Sequence, residues 1–410
     1  MAPPVRIALL GLLSLALAMG VGRFAFTPML PMMRADGITD IAGGGRLAAV
    51  HFIGYWLGAV MASRIPLAPR THLGIALIGT GICTAAMGMT EFESGWAVLR
   101  FLAGLFSAWA LVLVGNYFIK SLKTSASTAL EGWVFAGVGA GIMAAGMASH
   151  GFTQMALTSS DAWLVLGGAS LALAIVLCVV PGPEMPARKA DAGGASPVRS
   201  PLDLRAVTAY GAVGLGYVIP ATYLPVMARE MLPASSMLGW SWPVFGLAAA
   251  LSTLLVAPLR RRFSDRGIWA VCQMILAGGL LLPVAFPHMA AVIASGLCVG
   301  GTFMVITMTG MKEAHRLAHA DDAMRHIAVL TGAFAAGQII GPVLASSLYA
   351  MAGDFSLSLV AASVLTGVTA VVLISGRHQA PGAIDQSTLP SASSQSPSIR
   401  TSGSSAKVSG

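Results

Sequence analysis

Charge is what this chain has least of. Of its 410 residues 10% are charged and 56% hydrophobic, and the mean hydropathy is +0.79. An average soluble chain carries roughly 25% charged residues, so a soluble globule is excluded. Strand-length alternation of polar and apolar residues is missing too, which excludes a membrane barrel. Cysteine is scarce. Cys83, Cys178, Cys272 and Cys298 all fall inside apolar runs, match neither a disulfide framework nor a metal spacing, and read as packing residues. No Walker-type phosphate loop, no HExxH and no usable Ser-His-Asp set is present, so neither ATP-driven nor hydrolytic chemistry is expected, and the chain is read as no enzyme. No cofactor and no metal are expected. His315 and His319, followed by Asp321 and Asp322, have an i, i+4 spacing that suits a metal. They stand among basic residues in a loop and read as a solvated helix.

What the chain has instead is apolar runs of about twenty residues, the length that crosses a bilayer as a helix. They lie near 7–33, 46–63, 71–89, 95–119, 129–150, 160–180, 205–228, 238–257, 267–287, 290–311, 326–350 and 355–375. An all-α integral membrane protein with twelve transmembrane helices follows. The first run resembles a signal peptide through Arg6 and Ala16-Leu17-Ala18. It continues apolar to Met33 and has a counterpart in the second half, so it is read as a span. Of the 24 basic residues nineteen fall in alternate loops counted from the N-terminus. Only Arg34, Arg46 and Arg229 fall in the opposite loops, and Arg23 and Arg100 sit inside spans. That asymmetry places both termini in the cytoplasm and explains the +8 charge as topology, with no nucleic-acid partner. Residues 1–180 form a first six-helix bundle, 181–204 a cytoplasmic linker, 205–376 a second bundle, and 377–410 a Ser- and Pro-rich tail expected to be disordered.

The halves are related. Residues 20–33 and 214–227 align without gaps at a spacing of 194, sharing Gly20/Gly214, Gly22/Gly216, Leu30/Leu224, Pro31/Pro225 and Met33/Met227. Duplicated bundles that rock about a shared site are a transporter plan. At one position the copies differ sharply: Arg23 in the first is Tyr217 in the second. Arg23 lies within roughly 5 Å of the middle of its span at 1.5 Å per residue. A guanidinium there stays charged and needs a wet cavity or a partner. It reads either as a fork for an anionic group, most naturally a carboxylate, or as a clamp on carbonyls or an acid of another helix.

Arg100, shallower in the fourth span, divides equally between structure and function. His51 and Tyr55 are one turn apart on the second span, and His51 is a candidate proton carrier. Phe26, Tyr217, Tyr223 and Gln338 complete the candidate substrate-binding set, with Gln338, like Asn116 and Gln273, also fit to bond helix to helix. Glu131 is the sole acid within an expected span and the second proton-coupling candidate, though its place at a helix N-terminus suits an interfacial residue as well. The lack of buried acids argues for an anionic or neutral cargo. Small residues at Gly137, Gly139 and Gly141, and at Gly337 and Gly341, are placed for close helix packing. Pro28, Pro31, Pro220 and Pro225 are expected to break the ladders of the first and seventh spans.

The twelve-span duplicated plan with its central linker resembles the major facilitator superfamily over residues 5–376. Gly20-Val21-Gly22-Arg23-Phe24-Ala25-Phe26-Thr27-Pro28 with Leu30-Pro31, and Phe334-Ala335-Ala336-Gly337-Gln338-Ile339-Ile340-Gly341-Pro342, are similar to the first and eleventh helices of its YbfB/YjiJ-type bacterial branch. The resemblance implies two pseudo-symmetric six-helix bundles, alternating access, and a bacterial inner membrane. It also implies a site between helices 1, 2, 4, 5 and 7, 8, 10, 11. The expectation is therefore a monomeric secondary transporter of a small organic solute, an anion because of Arg23, coupled to protons. Two alternatives stay open. Arg100 with Gly104 looks like the helix-4 motif of proton-coupled exporters of amphipathic drugs, although Gly141 is followed by Ile142 where those exporters have proline. The loop 58–66 lacks the superfamily's aspartate, which allows a sensor or scaffold without transport.

Overall fold

The computed structural model describes residues 3–62, 64–124, 130–184, 201–231, 238–317 and 323–375. The expected tail, most of the linker and residues 318–322 of the histidine–aspartate stretch lie outside them. Among the described residues twelve long helices follow one another: α1 Pro4–Ala35, α2 Ile41–Met61, α3 Pro69–Met89, α4 Glu93–Thr124, α5 Glu131–Gln154, α6 Ser159–Val179, α7 Leu204–Met231, α8 Ser241–Leu259, α9 Asp265–Ala285, α10 Met289–Leu317, α11 Ala323–Ala352 and α12 Ser356–Ile374. Among the described residues there is no strand. Eleven of the helices are long and apolar enough to cross a membrane by length and composition. The twelfth, α2, has 21 residues but carries three consecutive glycines, Arg46 and His51, which dilute its hydropathy. At 1.5 Å per residue it is still about 30 Å long, the thickness of the hydrocarbon layer.

Two sequence expectations need correction. The span expected to end at 311 continues as helix to Leu317, so Glu131 is not the sole acid within a spanning helix. Glu313 is only 1% exposed. It persists there because its charge is matched: it accepts from Arg316 one turn on, at 2.7 Å, and stands 3.5 Å from Arg266 of α9. Arg266 also pairs with Asp203 before α7 at 2.7 Å, which ties three helix ends together. Secondly, Pro31, Pro220 and Pro225 do not interrupt their helices, and the break lies ahead of Pro28; Pro31 sits inside the regular stretch Phe26–Ala35. α7 keeps its helical course through Pro220 and Pro225, whereas α1 is interrupted.

The interruption of α1 has a local cause. Pro28 has no N–H to offer the Phe24 carbonyl, and the Thr27 amide turns to Phe24 instead, at 3.3 Å. Upstream, residues Ala16–Val21 widen into a π-helical turn, and regular helix resumes only at Phe26. The carbonyls of Gly22 and Arg23 are left without the usual helical donors.

Glycine explains the close packing on either side. A Cβ on Gly20 would overlap the Gly141 backbone of α5, and one on its repeat equivalent Gly214 would overlap Phe334 of α11. The shared glycines thus let α1 lie on α5 and α7 on α11. Between the halves, α5 runs along α8, α2 along α11, and the second part of α1 along α7. Gly139 of α5 faces the Ala250 amide of α8 with no room for a side chain. Gly139→Val is expected to lower the melting midpoint in detergent, a loss of about 1–3 kcal/mol. Gly168→Val, on a face of α6 where a Cβ would meet nothing within 4 Å, should leave it unchanged.

Candidate functional site

Arg23 lies in the interruption of α1 and is 6% exposed. Its Nη2 donates to the hydroxyl of Tyr217 on α7, the residue 194 positions later. Four residues on, Thr27 donates to the Ala221 carbonyl, again 194 later. Residues at equivalent repeat positions therefore meet each other, which puts this layer on the pseudo-twofold axis relating the halves.

The surroundings of Arg23 are aromatic. Its Cζ lies 4.5 Å from the ring centre of Tyr55, 4.9 Å from Phe24 and 5.1 Å from Phe52. Cation–π contacts in a desolvated place are worth about 2 kcal/mol each, which offsets part of the burial of the charge. Among the described residues Arg23 forms no ion pair; the paired arginines are Arg34, Arg46, Arg260, Arg266 and Arg316. Tyr217, wholly buried, packs against Phe303 of α10 at 5.1 Å and Phe334 of α11 at 5.5 Å, with ring planes 3° and 15° apart. Its hydroxyl accepts a second hydrogen bond, from the Gln338 amide of α11.

Arg100 has a different set of partners. Its Nη1 and Nη2 donate to the carbonyls of Gly22 and Arg23, each at 3.2 Å. These are the two acceptors freed by the break in α1. Its Cζ sits 4.7 Å from the Phe26 ring, so Phe26 backs Arg100 and not Arg23. His51 is wholly buried, with Nδ1 3.1 Å from the Arg100 carbonyl. The structure thus gathers Arg23, Tyr55, Tyr217 and Gln338 into one cluster and joins Arg100, Phe26 and His51 to it as the support of α1.

Tyr223 and Glu131 lie apart. Tyr223 is six residues beyond Tyr217, about 9 Å along the helix. Its hydroxyl donates to Pro342 at 3.0 Å and stands 3.3 Å from the Ile41 carbonyl. Together with Arg34, which pairs with Glu230 at 3.0 Å, it closes the halves against each other at the end away from Pro4, where α1 begins. Glu131 is the half-buried first residue of α5. Gln273 bonds Trp269 on its own helix and Thr366 and Thr369 of α12, and so joins helices within the second half. Phe24, Phe52, Phe303 and Phe334 are site residues that sequence reasoning missed.

The sequence model of the family described as "Uncharacterised MFS-type transporter YbfB" matches residues 15–374. The chain belongs to that family. It is accordingly a multi-pass membrane transporter of the major facilitator superfamily and no enzyme. Solved structures agree in fold. A variant of the nucleoside transporter NupG superposes with a TM-score of 0.71 at 13% identity, covering 90% of this chain and 98% of its own. A bacterial homologue of the human lysosomal transporter Spinster, inward-facing and unoccupied, gives 0.65 at 13% identity, over 90% and 95%. The human organic anion transporter MFSD10 gives 0.61 at 14%, over 91% and 100%. No curated protein matches the sequence.

Proposed function

We propose that this secondary transporter carries a small organic anion, bound through a carboxylate to Arg23. One observation supports the reading above the others: a guanidinium buried in the middle of the membrane layer, where the two halves meet, is bonded to a neutral phenol. No acid among the described residues neutralises it. Arg100 adds a second positive charge nearby, so the layer favours a cargo that brings the missing negative charge. The named neighbours take nucleosides and organic anions, but at 13–14% identity they speak for the fold and not for the cargo.

The N- and C-terminal six-helix bundles rock about this layer, with both termini cytoplasmic in a bacterial inner membrane. The sealed end then faces outwards. Importing a monoanion against an inside-negative potential costs about 2.3 kcal/mol per 100 mV, and one accompanying proton cancels that work. Proton coupling follows as the proposed driving force, with His51 and Glu131 the groups to test.

A thermal-shift screen of the purified chain tests the cargo class. Small carboxylates, nucleosides and lipophilic cations are compared. Carboxylates are expected to raise the melting midpoint, by the equivalent of about 2.7 kcal/mol at a hundred times the dissociation constant. Stabilisation by nucleosides or lipophilic cations alone would overturn the anion reading.

A further inference from the structure

Resting on that anion reading, we propose that the Tyr217 hydroxyl is an internal stand-in for the substrate: it occupies the donors of Arg23 and Gln338 in the empty carrier, and an arriving carboxylate must displace it. The first observation is convergence. Arg23 Nη2 from the first half and Gln338 Nε2 from the second donate to the same phenolic oxygen. With both bonds made, that oxygen is filled as an acceptor. Two donors aimed from opposite halves at one oxygen make a place for an oxygen, and a carboxylate oxygen there would make charge-assisted bonds roughly twice as strong as neutral ones.

The second observation is what remains unused. Arg23 Nε and Gln338 Oε1 are both buried and have no hydrogen-bond partner among the described residues. Nε and Nη2 lie on the same edge of a guanidinium and form the side-on fork that takes a carboxylate with two parallel bonds. Tyr217 has one oxygen to offer and fills half of that fork. A carboxylate has two and fills both.

The third is that the ring cannot swing aside alone. Phe303 and Phe334 lie nearly parallel to it and pack against it, and both belong to the half that carries Tyr217. The hydroxyl therefore leaves Arg23 together with its half. Exchange of phenol for carboxylate at Arg23 is in this way linked to separation of the halves on the pseudo-twofold axis, since a ligand shifts a conformational equilibrium by its differential affinity for the two states.

Tyr217→Phe removes the hydroxyl and keeps the stacked ring. The purified full-length chain, as wild type, Tyr217→Phe and Arg23→Ala, is titrated with acetate and with benzoate while its melting midpoint is followed. Tyr217→Phe is expected to reach half-maximal stabilisation at about tenfold lower concentration than wild type, the effect of removing one competing hydrogen bond to a charged group. Arg23→Ala should not respond. Equal midpoint concentrations for wild type and Tyr217→Phe would overturn the stand-in, as would a need for more ligand in the variant; the anion reading would survive either result. Absence of a response in both wild type and Tyr217→Phe, or an undiminished response in Arg23→Ala, would instead remove the anion reading itself. Tyr217→Leu, which also lacks the hydroxyl, repeats the comparison should the phenylalanine variant not fold.

Discussion

Arg23→Ala is expected to abolish carboxylate binding and carboxylate flux while leaving the chain folded. The side-on fork supplies two charge-assisted bonds to a cargo that is otherwise in an apolar, ring-lined place. Losing one partner of such a buried pair costs about 3–5 kcal/mol, more than a hundredfold in affinity. Folding should not suffer in proportion. The Arg23 side chain donates to the Tyr217 hydroxyl, and Gln338 remains to bond that hydroxyl when the arginine is gone. Removing the charge also removes its desolvation, so the ligand-free melting midpoint is expected to hold or rise. Arg23→Lys should recover little, because an ammonium is a point charge and does not reproduce the planar pair of donors. Thermal shift and flux into proteoliposomes check both variants. Wild-type flux in Arg23→Ala would reduce the residue to a packing element. Loss of folded protein would make it the clamp that the sequence also allowed.

The outline of this arrangement was legible in the sequence, and the reasons are specific. The 194-residue offset aligned Arg23 with Tyr217 because duplication places both at one level of their helices. It did not say that they touch. Contact follows from a further fact, that this level lies on the axis relating the halves, and Thr27 with Ala221 reveals the axis only in three dimensions. Tyr223 carries the same chemistry as Tyr217, yet less than two turns of helix move it from the centre to the outer seal. Glu313 escaped notice because apolar content fades before the helix does, and ion pairs with Arg266 and Arg316 sustain the last turn. The aromatic walls were hidden for the opposite reason. In a chain that is 56% hydrophobic, Phe24, Phe303 and Phe334 do not stand out from the residues that face lipid.

Arg100→Leu is expected to have the opposite profile from Arg23→Ala, with a large loss of folded protein. The arginine serves the Gly22 and Arg23 carbonyls, which Pro28 and the widened turn deprive of helical donors. Gly22 and Arg23 are buried, so each abandoned carbonyl costs about 1–3 kcal/mol, and two together approach the stability of many whole domains, about 5–15 kcal/mol. The melting midpoint in detergent should fall steeply, and Arg100→Lys should restore part of it, since an ammonium can still donate. This outcome also decides between readings of the same residue. An exporter that uses Arg100 in transport predicts a leucine variant that folds and melts normally but moves nothing. The bonds favour the scaffold: both terminal nitrogens of Arg100 end on backbone oxygens of the segment that positions Arg23. Two buried arginines with carbonyl-to-guanidinium contact between them thus take different work from their partners, one holding the chain and the other left with a phenol that a carboxylate can replace.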